Sequence, residues 1–312
     1  MNEINTTFLK LSKRAETVSN EYLVKTFVNV GPLLTILLNK DHEILYGRRG
    51  TGKTHALNFL KDIVFKNGDI PIYIDLRTIG SNGGIFSDSN LSLKERATRL
   101  LIDTISLIIN EIVDFVIVDP SDRFDLSKIS PITDKVWNSI TQIKIDSEIE
   151  KTESLEEKIN NSSTKERAFK ISPETVEFSA GRKKELSTED AKATTTKTIG
   201  KEEHRVHFSS VFSNLQELTK ALKIDIWIIF DEWAEIPQDL QPYLSEMLRR
   251  TMLPNNAFVI KIGAIEQRTK MSILDSISNR IGIEIGADIA ATQNLDEYMV
   301  FDNDEEKSIN FF

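Results

Sequence analysis

Four stretches of the chain are almost continuously apolar: His42–Tyr46, Pro71–Leu76, Ile224–Phe230 and Phe258–Gly263. Short runs of this kind, bounded by turn residues, predict strands buried on both faces, the pattern of a parallel sheet. Between them apolar residues recur at helical spacing. Thr54 to Phe65 carries Ala56, Leu57, Leu60, Ile63 and Val64, and Ser92 to about Phe115 carries Leu100, Leu101, Ile105, Ile108, Ile109 and Ile112. Val206–Leu222 is amphipathic through Phe208, Val211, Phe212, Leu215, Leu218 and Leu222, and Leu240–Met252 turns Tyr243, Leu244, Met247 and Leu248 inward. Asn67-Gly68-Asp69 and Pro254-Asn255-Asn256 are turns, and the Gly-, Ser- and Asn-rich stretch Ile79–Asn90 is a loop. Thr7–Val28 reads as a short helix, a loop and the segment Tyr22–Val28, and Pro32–Leu38 reads as a helix just before the first strand. At the other end, Leu295–Phe301 offers a last short strand and Asp304–Phe312 begins a helix.

The pattern breaks between about Asp146 and Glu203. Charged residues, Asn, Ser and Thr replace the large apolar ones, which predicts a flexible or partly ordered insertion, with short strands at Thr141–Ile145 and Thr175–Phe178. The expected organisation is therefore a core of residues 1–145 and 204–312 interrupted by the 146–203 insertion. Strands alternating with helices make the fold class α/β.

Composition narrows the chemistry. At 312 residues, 40% hydrophobic and 28% charged, the chain can bury a sizeable core. With 39 basic against 48 acidic side chains, its net charge of −9 repels nucleic acid overall; a local patch could still bind it, without support from composition. Zero cysteines removes disulfides, zinc knuckles and thiol catalysis, and suits a cytoplasmic location. No signal or membrane anchor is visible; the apolar run Phe27–Leu38 is interrupted and too short to span a bilayer. His204 and His207 lack a third metal ligand, and Arg182-Lys183-Lys184 is too short for a nucleic-acid footprint.

The stretch Gly47-Arg48-Arg49-Gly50-Thr51-Gly52-Lys53-Thr54 matches G-x-x-x-x-G-K-[ST] at every fixed position, between a predicted strand and a predicted helix. Glycines there let successive backbone N–H groups point at an anion, and the helix adds its positive N-terminal end. A polyphosphate is the natural guest, with Lys53 as a mobile charge on the β- and γ-phosphates and the Thr54 hydroxyl as a hard ligand for Mg²⁺. Arg48 and Arg49 either touch phosphate or a partner chain, or form a solvated loop edge. His55 follows directly. Upstream, Thr26, Phe27 and Val28 are candidates for adenine contacts, with a plain core role as the alternative for Phe27.

The strand Ile224–Phe230 ends in Asp231-Glu232. Asp231 suits the metal, and Glu232 suits the general base that polarises an attacking water. The plain alternative is that Glu232 caps the following helix or pairs with an arginine. After the strand Phe258–Gly263, Glu266 and Gln267 are placed to sense the γ-phosphate. No guanine-specific Asn/Thr-Lys-x-Asp motif is present, which leans toward ATP.

The order of parts resembles the AAA+ group of P-loop ATPases and, more narrowly, bacterial ATPases similar to origin-recognition-complex initiators. The resemblance rests on Tyr46 to His55, on Phe230-Asp231-Glu232-Trp233-Ala234-Glu235-Ile236-Pro237 with Leu240-Gln241-Pro242, and on Gly282 to Asp288. It implies a three-layer α-β-α fold of the AAA+/ASCE type, a parallel sheet in 5-1-4-3-2 order with core strands near residues 43, 73, 228, 260 and 299, and nucleotide at their carboxyl ends. It also implies a homo-oligomer or a partner effector, with Arg268 or Arg280 completing a neighbour's site; Arg280 is counted among the catalytic candidates. Two departures stand out: Glu266 and Gln267 replace the usual Asn, Ser or Thr sensor, and no helical lid or winged helix follows. The expected activity is Mg²⁺-dependent ATP hydrolysis that drives or gates a larger assembly, including assemblies acting on DNA or in antiphage defence. The alternative is a nucleotide-dependent interaction switch with little turnover.

Overall fold

The computed structural model describes residues 20–28, 32–79, 90–119, 123–140, 143–147, 200–204, 206–274, 279–289 and 291–298. The expectations for residues 7–19, 80–89, 148–199 and 304–312 lie outside these. By its contacts the chain divides into two compact units, residues 1–144 with 204–312, and residues 145–203. Of the second unit, the described part belongs to a two-stranded ladder of β3 (Ile143–Ser147) and β4 (Gly200–His204).

In the first unit, helices α1 (Asn20–Thr26) and α2 (Leu33–Leu37) precede β1 (Glu43–Tyr46). Then follow α3 (Lys53–Lys66), β2 (Ile70–Asp75), α4 (Leu93–Val118) and α5 (Leu126–Ile140). After residue 204 come α6 (Phe208–Leu222), β5 (Ile226–Asp231), α7 (Gln241–Thr251), β6 (Phe258–Ala264), the ladder β7 (Ser272–Leu274) with β8 (Arg280–Gly282), then β9 (Ala291–Asn294) and α8 (Leu295–Tyr298).

The sheet runs β2-β5-β6-β1-β9, and all four of its ladders are parallel. Every residue of β5 and β6 is buried, because both strands are central and covered on both faces. β2, at one edge, alternates buried and half-buried positions. Alternate residues point to opposite faces, so β1, β2, β5 and β6 each feed two cores. Ile72, Ile74, Ile228, Phe230, Ile260 and Ile262 pack with α4, α5, α6 and α7, whereas Leu45, Trp227, Ile229 and Val259 pack with α2 and α3. Each such side chain, fully buried, contributes about 1.5–3 kcal/mol.

α4 begins with a side-chain N-cap, in which Ser92 Oγ accepts the Glu95 backbone N–H at 3.2 Å. α5 had no counterpart in the sequence pattern, because Pro131 lies inside it and reads as a helix breaker. It persists because Ile129, Ile132, Val136 and Ile140 are all buried against the larger core. Of the strand expected at Leu295–Phe301, Leu295–Tyr298 is corrected to helix, and residues 299–301 lie outside the described ones. The fifth strand is β9, and Leu295 starts a helix because the Asn294 side chain caps it, taking the Asp296 N–H on Oδ1 at 3.0 Å.

Candidate nucleotide site

The carboxyl ends of β1, β5, β6 and β9 converge on the loop Gly47–Gly52 between β1 and α3. Gly50 and Gly52 sit in the left-handed region at φ 86° and 87°, a conformation that side chains with Cβ rarely adopt and that curls the loop over the start of α3. Thr51 Oγ1 donates to the Arg48 carbonyl at 2.9 Å. Lys53 is only 7% exposed and turns its ammonium back into the loop, donating to the carbonyls of Gly47 at 2.8 Å and Arg48 at 2.9 Å. Burial, and more weakly the charge of Arg49, lowers the Lys53 pKa against the opposing charges of Glu232, Asp231 and Asp296.

The strand ends meet at one carboxylate. Asp231, 1% exposed, accepts three hydrogen bonds: the Glu232 backbone N–H on Oδ1 at 2.8 Å, and on Oδ2 the Thr54 hydroxyl at 2.7 Å and the Tyr73 phenol at 2.6 Å. Room for it comes from β6, where a Cβ on Gly263 would lie 2.9 Å from Asp231 Oδ1 and 2.7 Å from a Leu57 methyl. Burial, then the charge of Asp231, pushes the Tyr73 phenol far above its usual range.

Glu232 adopts φ 55°, ψ 43°, and Lys223 is the other non-glycine residue with positive φ among those described. Lys223 merely ends α6, but Glu232 stands at a strand tip, where such a backbone marks a site that constrains it. Fully buried Phe230 and Trp233 flank it, their rings edge-to-face at 6.1 Å, and a 3-10 turn, Trp233–Glu235, follows directly. Burial, then Asp231, raises the Glu232 pKa, with Arg77 and Lys53 opposing.

The loop arginines are tied to the segments that follow β9 and β5. The Arg48 backbone N–H donates to Asp296 Oδ2 at 3.2 Å while its Nε lies 3.3 Å from Oδ1, and Arg49 donates to Glu235 at 2.7 Å. Glu235 also stands 3.9 Å from Arg268, which donates to the Ala234 carbonyl. The buried Gln241 amide links the same two segments, donating to the carbonyls of Ile236 at 2.9 Å and Arg268 at 3.1 Å and accepting the Lys270 N–H at 2.7 Å. Gln267 is exposed on the 3-10 turn Glu266–Arg268 after β6, and the Glu266 charge, after burial, raises the Tyr46 phenol at the tip of β1.

Phe27 stacks on Phe59 at 4.1 Å and meets His55 edge-on at 5.5 Å, and His55 Nε2 bonds the Leu23 carbonyl, so both rings belong to the packing of α1 against α3. Arg280 is set apart in the β7–β8 ladder, its Nε 3.5 Å from Glu284, and among the described residues no hydrogen bond or ion pair ties it to the loop. Tyr73, Gly263, Glu235 and Asp296 escaped sequence reading. Each acts across strands far apart in the chain, and only the alternation of β2, which sets Tyr73 opposite Ile72 and Ile74, could have pointed to one of them.

Fold and site together define an α/β protein with a parallel sheet, flanking helices and a lysine-bearing glycine loop whose neighbouring threonine reaches an acidic strand end. A family model described as ORC-CDC6-like matches residues 11–61, a span holding β1, the entire loop and the first part of α3. The similarity supports an ORC/CDC6-like AAA+ relationship at a coarse level, and with it AAA+ ATPase-type nucleotide binding. No curated protein and no solved structure gives a significant match. No helix among the described residues is long and apolar enough to cross a membrane.

Proposed function

We propose that the chain binds ATP with Mg²⁺ and hydrolyses the β–γ phosphoanhydride, acting as an AAA+-type module that drives or gates a larger assembly. One observation carries the reading: Thr54 Oγ1 and Asp231 Oδ2 lie 2.7 Å apart beside Lys53 and the glycine loop. With its proton given to Asp231, Thr54 keeps its oxygen lone pairs for a hard cation, which is what a Mg²⁺ ligand must offer. Lys53 supplies a positive charge for phosphate oxygens, and Glu232, its basicity raised, is suited to take a proton from water near neutral pH. Bound Mg²⁺ would neutralise charge that develops on the phosphates. Counting only the five strands of the main sheet in chain order, they run 5-1-4-3-2, which supports a P-loop architecture of the AAA+/ASCE type.

The assembly is part of the proposal: a second copy or an effector protein, with exposed Arg280 reaching a neighbouring site. The test combines nucleotide binding by calorimetry with phosphate release. Wild type should bind ATP with Mg²⁺ and turn it over, Lys53→Ala should lose binding, and Glu232→Gln should keep binding while turnover falls by about 100-fold or more. Wild type that binds no ATP at millimolar concentration would overturn the proposal. Binding without turnover would leave the interaction switch.

A further inference from the structure

Asp231 is fixed by three donors, and two of them have evident parts in the proposed site: Thr54 is its metal-facing partner and the Glu232 N–H belongs to the same strand tip. The third comes from elsewhere. Tyr73 lies on edge strand β2, opposite Ile229 of β5 in the register, two positions before the pair Asp75–Asp231. Its phenol crosses to Asp231 Oδ2 at 2.6 Å, from a ring packed beside the smaller core. An ordinary phenol is protonated at neutral pH, so this group is a donor throughout the working range.

We infer that Tyr73 is a positioning residue for the divalent cation: its hydroxyl holds the Asp231 carboxylate in the orientation that accepts the Thr54 proton and so directs the Thr54 lone pairs toward the metal. The inference rests on the nucleotide reading above. Oδ2 carries two hydroxyl donors at once, Thr54 from α3 and Tyr73 from β2. Without the phenol, Oδ2 keeps the Thr54 proton alone and Oδ1 keeps the Glu232 N–H, so the carboxylate loses one of its three restraints against rotation about Cβ–Cγ. The acceptor that aims Thr54 is then held less firmly. Partners that orient a ligand without touching the metal are typically worth about 10–100-fold in metal affinity. Tyr73 does not reach the loop itself, so binding of nucleotide without metal should not depend on its hydroxyl.

The experiment uses the full chain and a fluorescent, slowly hydrolysed ATP analogue, with affinity measured in EDTA and across a Mg²⁺ titration. For Tyr73→Phe the expected result is an affinity in EDTA within about twofold of wild type and a Mg²⁺ midpoint raised by about 10-fold or more. A double-mutant cycle separates positioning from packing. In the Asp231→Asn background, Tyr73→Phe should leave the remaining Mg²⁺ midpoint unchanged, whereas a packing defect would add its full effect there too. A Tyr73→Phe midpoint within twofold of wild type, or an equal shift in both backgrounds, overturns the inference and leaves the nucleotide site standing. A wild-type chain whose affinity for the analogue is the same with and without Mg²⁺ also overturns the inference, and one that binds the analogue in neither condition overturns the nucleotide reading with it.

Discussion

Glu232 offers a test in which the sign of a stability change is decided by its backbone alone. Its φ of 55° and ψ of 43° place a residue with a Cβ in the left-handed region, at a cost of about 1–2 kcal/mol that glycine does not incur. Compare Glu232→Ala with Glu232→Gly. Both remove the carboxylate and its crowding by Asp231 to the same degree, so their difference isolates the Cβ. At an ordinary helical or extended position glycine is the less stable of the two by about 0.5–1 kcal/mol, through the freedom it gives the unfolded chain. Here the relieved strain outweighs that freedom, and Glu232→Gly should be the more stable by roughly 0.5–1 kcal/mol, about 2 °C in melting temperature for a unit of this size. The assay is urea unfolding followed by tryptophan fluorescence, since Trp227 and Trp233 are both buried and Trp233 adjoins the position. Both variants should lose turnover, so the stabilised protein would also be an inactive one. An alanine variant as stable as the glycine variant, or more so, would refute the claim that this backbone is strained.

Three further outcomes are expected. Gly263→Ala should weaken Mg²⁺-dependent nucleotide binding and destabilise by about 1–3 kcal/mol, read by calorimetry and urea unfolding, because the added methyl would press on Asp231 Oδ1 and Leu57. Lys261 and Glu43 form an ion pair at 2.7 Å with side chains 1% and 3% exposed, so Lys261→Met alone should cost about 3–5 kcal/mol in urea unfolding, and adding Glu43→Leu should restore most of it. Burial works against ionisation of Glu246, but the Gly282 N–H and the Arg250 and Arg249 guanidiniums outweigh it and hold its carboxyl below the ordinary range. Its contribution is therefore complete above the unfolded value and is lost as pH falls through the folded one. The stability gap between wild type and Glu246→Gln should shrink on acidification from about pH 6 to about pH 3, measured by urea midpoints.

What could be read in the sequence follows the range of the forces involved. The succession of β1, glycine loop and α3 is local, and so is the buried run of β5 ending in two carboxylates; spacing and apolar continuity suffice for both. β9 was not legible, because Ala291-Thr292-Gln293-Asn294 pairs among the described residues only with β1 and has no apolar run to announce it. α5 was hidden by Pro131, whose local cost is outweighed by tertiary burial. At the site, residue types and their order were visible but contacts between strands were not. Nothing in Ile-Pro-Ile-Tyr-Ile-Asp says that its tyrosine bonds Asp231, and nothing in Phe-Asp-Glu-Trp says that its glutamate is left-handed.

Lys53 already spends two of its three donors on the carbonyls of Gly47 and Arg48, and Arg48 and Arg49 are moored to Asp296 and Glu235. Capture of a polyphosphate by such a loop is an exchange of partners within an already folded loop, not the ordering of a loose segment. Association should then run close to the encounter rate, with little change in heat capacity, and selectivity among anions should rest on how well each one outcompetes two carboxylates.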